Sequence, residues 1–154
     1  MYSSIMVPLD GSELAECVIP HVQAVASGGN VSNVTFVHVI EPLHLYGGLE
    51  SRFSPEEKKR LEEDSVSIAR EYLGKLTKQL EDKGIAVKSE VLYGKVIDQL
   101  ADYADANRVD LIIIATHGRS GISQLAFGSV ADRIIRSTKV PVLLVRAPGC
   151  TQGA

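Results

Sequence analysis

Apolar residues follow two alternating rhythms along the chain. Short, nearly continuous runs alternate with longer stretches in which apolar positions recur every three or four residues. The short runs predict strands at Ser4–Asp10 (SIMVPLD), Asn33–Ile40 (NVTFVHVI), Ala86–Tyr93 (AVKSEVLY), Asp110–Ala115 (DLIIIA) and Val140–Arg146 (VPVLLVR). The longer stretches predict helices. One starts near Ser12, a good N-cap, and turns Ala15, Val18, Ile19, Val22 and Ala26 to one side. Pro20 lies within it and predicts a kink or a broken turn. Ser54-Pro55-Glu56-Glu57 reads as a capping box with proline at the first helical position. The helix it opens carries an inner stripe of Leu61, Ser65, Ile68, Ala69, Tyr72, Leu73, Leu76 and Leu80 and stops at Gly84. A third helix, Lys95–Asn107, points Ile97, Leu100, Ala101 and Ala104 inward. A fourth, about Ser129–Ser137, is expected to bury Val130, Ile134 and Ile135.

Strands that alternate with helices imply an α/β fold, with a parallel sheet covered on both faces. The run at Asn33–Ile40 is apolar almost throughout, as expected of a strand with helices above and below it. Open sheets of this kind bind ligands beyond the carboxyl ends of their strands, where the strand order reverses. Neither a repeat nor a linker divides the chain, so residues 1–147 are expected to form one domain and 148–154 a flexible tail.

Bulk properties narrow the function. The 154 residues suit a single core, and 45% hydrophobic with 23% charged residues describes a globular chain. The net charge of -3 gives no general attraction to nucleic acid or to anionic membranes. No apolar stretch approaches the roughly 20 residues that span a bilayer. The start MYSSIMVPLDGS lacks the features of a secretory signal, and Cys17 and Cys150 have no metal spacing, so a cytoplasmic location is expected.

The segment Ile112–Arg136, IIIATHGRSGISQLAFGSVADRIIR, carries the chemistry. It leaves a buried strand through Gly118 and Gly121 and starts a helix at Gly128-Ser129. Glycines allow backbone amides to approach a ligand closely, and successive amides form anion-binding nests. The helix that follows adds its positive amino-terminal end. Arg119 supplies charge, and Ser120, Ser129 and the amides of Gly128 to Val130 supply donors, so the segment has the composition of a phosphate cradle. It contains no GxxxxGK[ST], and no GxGxxG follows the first strand, which disfavours a P-loop NTPase and a dinucleotide dehydrogenase. His117 either lines this pocket or folds back on its loop, while His21, His38 and His44 read as packing or surface residues.

The stretch ATHGRSGISQLAFGS resembles the universal stress protein family, whose nucleotide-binding members carry G-x2-G-x9-G-[ST]. Gly118 and Gly128-Ser129 match that spacing, and Ala115 stands where the pattern has its first glycine. The resemblance extends through IMVPLDGSELAE, VTFVHVIEP, VLYGKVIDQLADYADANRVDLIIIATHGRSG and VADRIIRSTKVPVLLVR. It implies an open five-stranded parallel sheet of order 3-2-1-4-5, of the Rossmann-like, adenine nucleotide alpha hydrolase type. It further implies an adenine nucleotide, ATP with Mg2+ as an accompanying ion, between the first and fourth strands. The base and ribose would lie near Pro8, Leu9 and Asp10, with Ser12 beside them and the Val39 backbone at the adenine edge. The phosphates would be held by Ala115, Thr116, His117, Gly118, Arg119, Ser120 and Gly121, and by Gly128, Ser129, Val130 and Ala131 at the helix start. The resemblance also implies a homodimer paired through the last strand at Val142–Val145. A nucleotide-dependent switch is the leading reading. A slow ATP hydrolase and a dimeric interaction module that binds no nucleotide are the alternatives.

Overall fold

The computed structural model describes residues 1–42, 52–116 and 129–147. The chain runs β1 (Ser4–Pro8), a 3-10 turn (Ala15–Val18), α1 (Ile19–Gly28), β2 (Asn33–Ile40), α2 (Pro55–Glu81), β3 (Val87–Tyr93), α3 (Val96–Ala106), β4 (Leu111–Thr116), α4 (Ser129–Ser137) and β5 (Val142–Arg146). The five strands form one sheet in the order β3-β2-β1-β4-β5, and every neighbouring pair is parallel. The expected strand order is therefore the observed one. The tail expected after residue 147 lies outside the described residues.

Alternation along the strands sorts the core into two layers. Ile5 and Val7 of β1, Phe36 of β2 and Ile113 of β4 pack with Val18, Val22, Leu73 and Leu80 on the side of α1 and α2. Met6 of β1 and Ile112 and Ile114 of β4 pack with Leu100, Ala104 and Ile134 on the side of α3 and α4.

Local chemistry explains most element ends. The capping box at Ser54 is formed. Ser54 Oγ accepts from the Glu57 amide at 3.2 Å, and Glu57 Oε2 accepts from the Ser54 amide at 2.8 Å. Pro20 does not kink a helix already under way. It occupies the first turn of α1, where its missing N–H leaves no hydrogen bond unmade, and the chain before it winds as the 3-10 turn.

Two expected core stripes are corrected. Leu61 is 39% exposed and Ile68 69% exposed, and Ser65 is exposed as well. α2 has 27 residues, and its buried positions, Ala69, Leu73, Leu76 and Leu80, all fall in its second half. Ile135 is 40% exposed, because Ala131 and Ile134 are the residues that α4 turns to the sheet.

The junction of β1 and β4 positions everything that follows. β1 pairs with β2 from Ser4 to Pro8, and β4 pairs with β5 from Ile112 to Thr116. Between β1 and β4 only Ile5↔Leu111 and Met6↔Ile112 are in register. The two strands are clipped together at their amino ends. The Asp110 carboxylate accepts from the Ser3 amide at 2.8 Å, from Ser3 Oγ at 2.8 Å and from the Ser4 amide at 3.0 Å. The Asp110 amide in turn donates to Ser4 O at 2.9 Å. Beyond Met6 and Ile112 the strands part.

Burial alone would raise the pKa of Asp110, but the hydrogen bonds from Ser3 and Ser4 outweigh it and hold the carboxyl below its usual range. A depressed carboxylate stabilises the fold above its unfolded pKa, and that contribution is lost as the pH falls through the folded value. Asp110→Asn is expected to lower stability by about 1 kcal/mol at pH 7, a Tm shift of ~2–4 °C. The gap to the parent should close as thermal melts are repeated towards about pH 3.

Candidate functional site

Where β1 and β4 part, a cleft of about 710 Å³ opens at the carboxyl ends of β1, β2 and β4. Pro8, Leu9 and Asp10 form its floor at the end of β1. Val39 borders it from β2, Ala115 from β4, and Val130 and Ala131 from the first turn of α4. These are the expected site residues that the fold brings together. Ser12 and Thr116 stand beside the wall. Ser12 supports Asp10, and Thr116 Oγ1 donates to Val145 O at 3.4 Å. Ser129 begins α4. His117, Gly118, Arg119, Ser120, Gly121 and Gly128 lie outside the described residues.

Asp10 is held by a tight local turn. Its Oδ1 accepts from the Ser12 amide at 2.9 Å and from Ser12 Oγ at 2.6 Å. Ser12 Oγ also accepts from the Ala15 amide at 3.3 Å, so the carboxylate is linked to the start of the 3-10 turn. Asp10 is thus tied into its own turn and also lines the cleft. Gly11 makes the turn possible with φ +85, and a Cβ there would meet nothing within 4 Å. Its requirement is conformational rather than steric.

Several cleft residues were not in the expected set. His38 was read as a packing or surface residue, yet it lines the cleft, and its Nδ1 lies 2.8 Å from Leu9 O. A carbonyl oxygen only accepts, so Nδ1 carries the hydrogen and Nε2 is left as an acceptor in the neutral ring. Ser65, Ile68, Ala69 and Tyr72 form a wall from the middle turns of α2. The helical spacing of these four was legible, but it signalled core. Nothing in the sequence says where a helix face passes from core to cleft.

The Ala115 methyl is tolerated. Ala115 sits in β4 paired with Val145, is 7% exposed, and is not among the residues with positive φ. Its side chain belongs mainly to the core on the α1 and α2 side.

Ionisable groups are unevenly spread. Asp10, His38 and Glu41 lie at the β1 and β2 side of the cleft, and the amino-terminal turn of α4 lies at the other. A helix start is equivalent to roughly half a positive charge, so the cleft has a carboxylate end and an anion-favouring end. Tyr72, on the α2 wall, has its pKa pushed up to about 12, first by burial and then by the carboxylates of Glu16 and Asp10. Among the described residues, no group of three His, Cys, Asp or Glu is placed to hold a metal ion, and no helix is long and apolar enough to cross a membrane.

Together these features define an α/β protein with a ligand-sized crevice at the reversal point of an open parallel sheet. Residues 1–146 match the Universal stress protein family, and the chain belongs to that family. It is 29% identical to Universal stress protein MJ0577 of Methanocaldococcus jannaschii, with 95% of this chain and 96% of that protein aligned. It is 30% identical to Universal stress protein Sll1388 of Synechocystis, covering 94% and 98% respectively. The solved structure of MJ0577 superposes with a TM-score of 0.79 over 97% of this chain and 99% of its own. A universal stress protein family protein of Arabidopsis thaliana, solved with AMP bound, shares the fold at a TM-score of 0.67 and 12% identity, with coverage of 96% and 93%.

The turn at Asp10 yields a direct test. Gly11→Ala is expected to cost about 1–2 kcal/mol in denaturant unfolding, since a left-handed backbone is strained for alanine. Gly11→Asn should recover a large part of that loss, because asparagine enters this region more readily. Equal losses in both variants would show that crowding, not backbone conformation, sets the requirement.

Proposed function

We propose that this chain binds an adenine nucleotide, ATP, in the cleft between β1 and β4, and that occupancy biases which conformation or partner is favoured. The observation that carries this reading is the polarity of the cleft. A turn-locked carboxylate, Asp10, stands at one end, and the first turn of α4, with Val130 and Ala131 on the wall, stands at the other. Sugar hydroxyls donate well to a carboxylate, and phosphates are favoured at a helix start. The cleft is large enough for such a ligand and largely apolar between its ends, as a base requires. In the family resemblance, the same two ends receive the ribose and the phosphates, with residues 115–121 and 128–131 forming the phosphate cradle. The AMP held by the Arabidopsis relative is in keeping with this assignment. Mg2+ would arrive on the phosphates, since the described residues include no cluster of three ligating groups.

Protein purified without added nucleotide is expected to release an adenine nucleotide on denaturation, or to gain thermal stability in millimolar ATP. Asp10→Ala should weaken ATP binding by about tenfold or more in calorimetry. A chain that is empty as purified and indifferent to ATP would defeat the reading.

We also infer that the protein forms a homodimer through β5. β5 is the last strand of the sheet order and pairs with β4 alone, and Leu143 is 37% exposed on it. An apolar edge strand invites pairing with a second copy. Antiparallel pairing about Val142–Val145 on a two-fold axis satisfies both edges at once. Leu143→Asp is expected to shift light scattering from the dimer mass to the monomer mass at micromolar concentration. A parent that already scatters as a monomer would exclude this interface.

A further inference from the structure

Two buried side-chain oxygens among the described residues have no hydrogen-bond partner, Tyr72 Oη and Thr77 Oγ1. Thr77 is not on the cleft. Tyr72 is one of the residues that line it. A buried hydroxyl without a partner is destabilising by an amount comparable to a lost hydrogen bond, so such an atom calls for an explanation. The surroundings of Tyr72 limit what that explanation can be. Of the other α2 residues on its wall, Ile68 and Ala69 are apolar, and the Ser65 hydroxyl is already donated to Leu61 O at 2.8 Å. Asp10 lines the same cleft, and the carboxylates of Asp10 and Glu16 stand close enough to raise the pKa of the phenol further than burial does alone. A phosphate would be repelled by that pair of charges. A partner for the phenol here must accept from Tyr72 while tolerating, or donating to, the neighbouring carboxylate. Vicinal sugar hydroxyls do both, because each hydroxyl donates one hydrogen and accepts through its lone pairs.

We propose that Tyr72 is a specificity-determining residue of the cleft, its hydroxyl donating to a ribose hydroxyl of the bound nucleotide while that diol donates to Asp10. The proposal rests on the nucleotide reading above. Oη is buried and Tyr72 lines the cleft, so the assignment requires the ring to tilt on binding, a side-chain adjustment of a common kind. The site then selects ribonucleotides over deoxyribonucleotides. The selectivity comes from α2 rather than from the glycine-rich segment.

The test uses Tyr72→Phe, which keeps the ring and removes the one atom in question. ATP, 2′-deoxy-ATP and 3′-deoxy-ATP are titrated into parent and variant by calorimetry. The parent is expected to prefer ATP over one of the deoxy analogues by about three- to tenfold, the size of one net hydrogen bond. The variant should lose the same factor for ATP and bind that analogue as the parent does. Unliganded, the variant should unfold at the same temperature as the parent or a higher one, since no bond is removed. Equal weakening for all three nucleotides, no weakening for ATP, or a less stable unliganded variant would each overturn the assignment. A parent that binds none of the three nucleotides would bring down the nucleotide reading itself and this assignment with it. That outcome is recognised from the parent alone.

Discussion

The parting of β1 from β4 is the constraint on which the site depends. Parallel strands that run outward from a central pair must reverse their order somewhere, and the helices that follow them leave to opposite faces. Here the reversal falls between β1 and β4, which share only two paired positions. Their amino ends cannot drift, because Asp110 takes three donors from Ser3 and Ser4 and returns its own amide. A pair clipped at one end and unpaired at the other makes a wedge. The wedge opens at Pro8 and Ala115, and elements from both faces reach its rim. The cleft is therefore a consequence of strand order and register, and the residues on it could vary widely without closing it.

Charge distribution then gives the wedge a direction. Asp10 does not wave in solvent. Its turn takes both donors of Ser12, and Ser12 in turn holds the first amide of the 3-10 turn. Such a carboxylate is preorganised, so little conformational freedom is lost when a ligand donates to it. The opposite rim is the start of α4, with Val130 and Ala131 on the wall, and the first turn of a helix carries unpaired backbone amides. A ligand with a neutral, hydroxyl-bearing end and an anionic end fits this gradient in one orientation only.

Much of this was readable from the residues alone. β2 has the expected bounds, the capping box at Ser54 forms as its spacing requires, and the alternation of strands and helices leads to a parallel sheet. The glycine-rich segment drew attention to the end of β4, where Ala115 does border the cleft. What the pattern did not separate was core from cleft wall. Ser65, Ile68, Ala69 and Tyr72 follow the same helical period as Leu73, Leu76 and Leu80, yet only the first set lines the cleft, Ile68 and Ser65 exposed on it and Ala69 buried at its edge. Periodicity reports which face of a helix is apolar, and it is silent on whether that face meets core or cleft. His38 was missed for a related reason. A histidine in an apolar run usually serves packing, and its bond to Leu9 O becomes visible only once β1 and β2 are adjacent.

The alanine at 115 shows how the burden of recognition can shift within one wedge. Glycine at such a point offers either a left-handed backbone or open space. Ala115 lies in a regular strand with an ordinary backbone, so the first advantage is not in use. Its methyl is largely turned into the core beside Leu9, Ala15 and Val145, where burying one carbon contributes on the order of 0.8 kcal/mol. The methyl thus adds to the core at the root of the cleft, whose lining Ala115 also joins. Polar groups on the cleft stand further out on its rim. Those are the side chains of the Asp10 turn, the end of β2 and the middle turns of α2, all of which line the cleft.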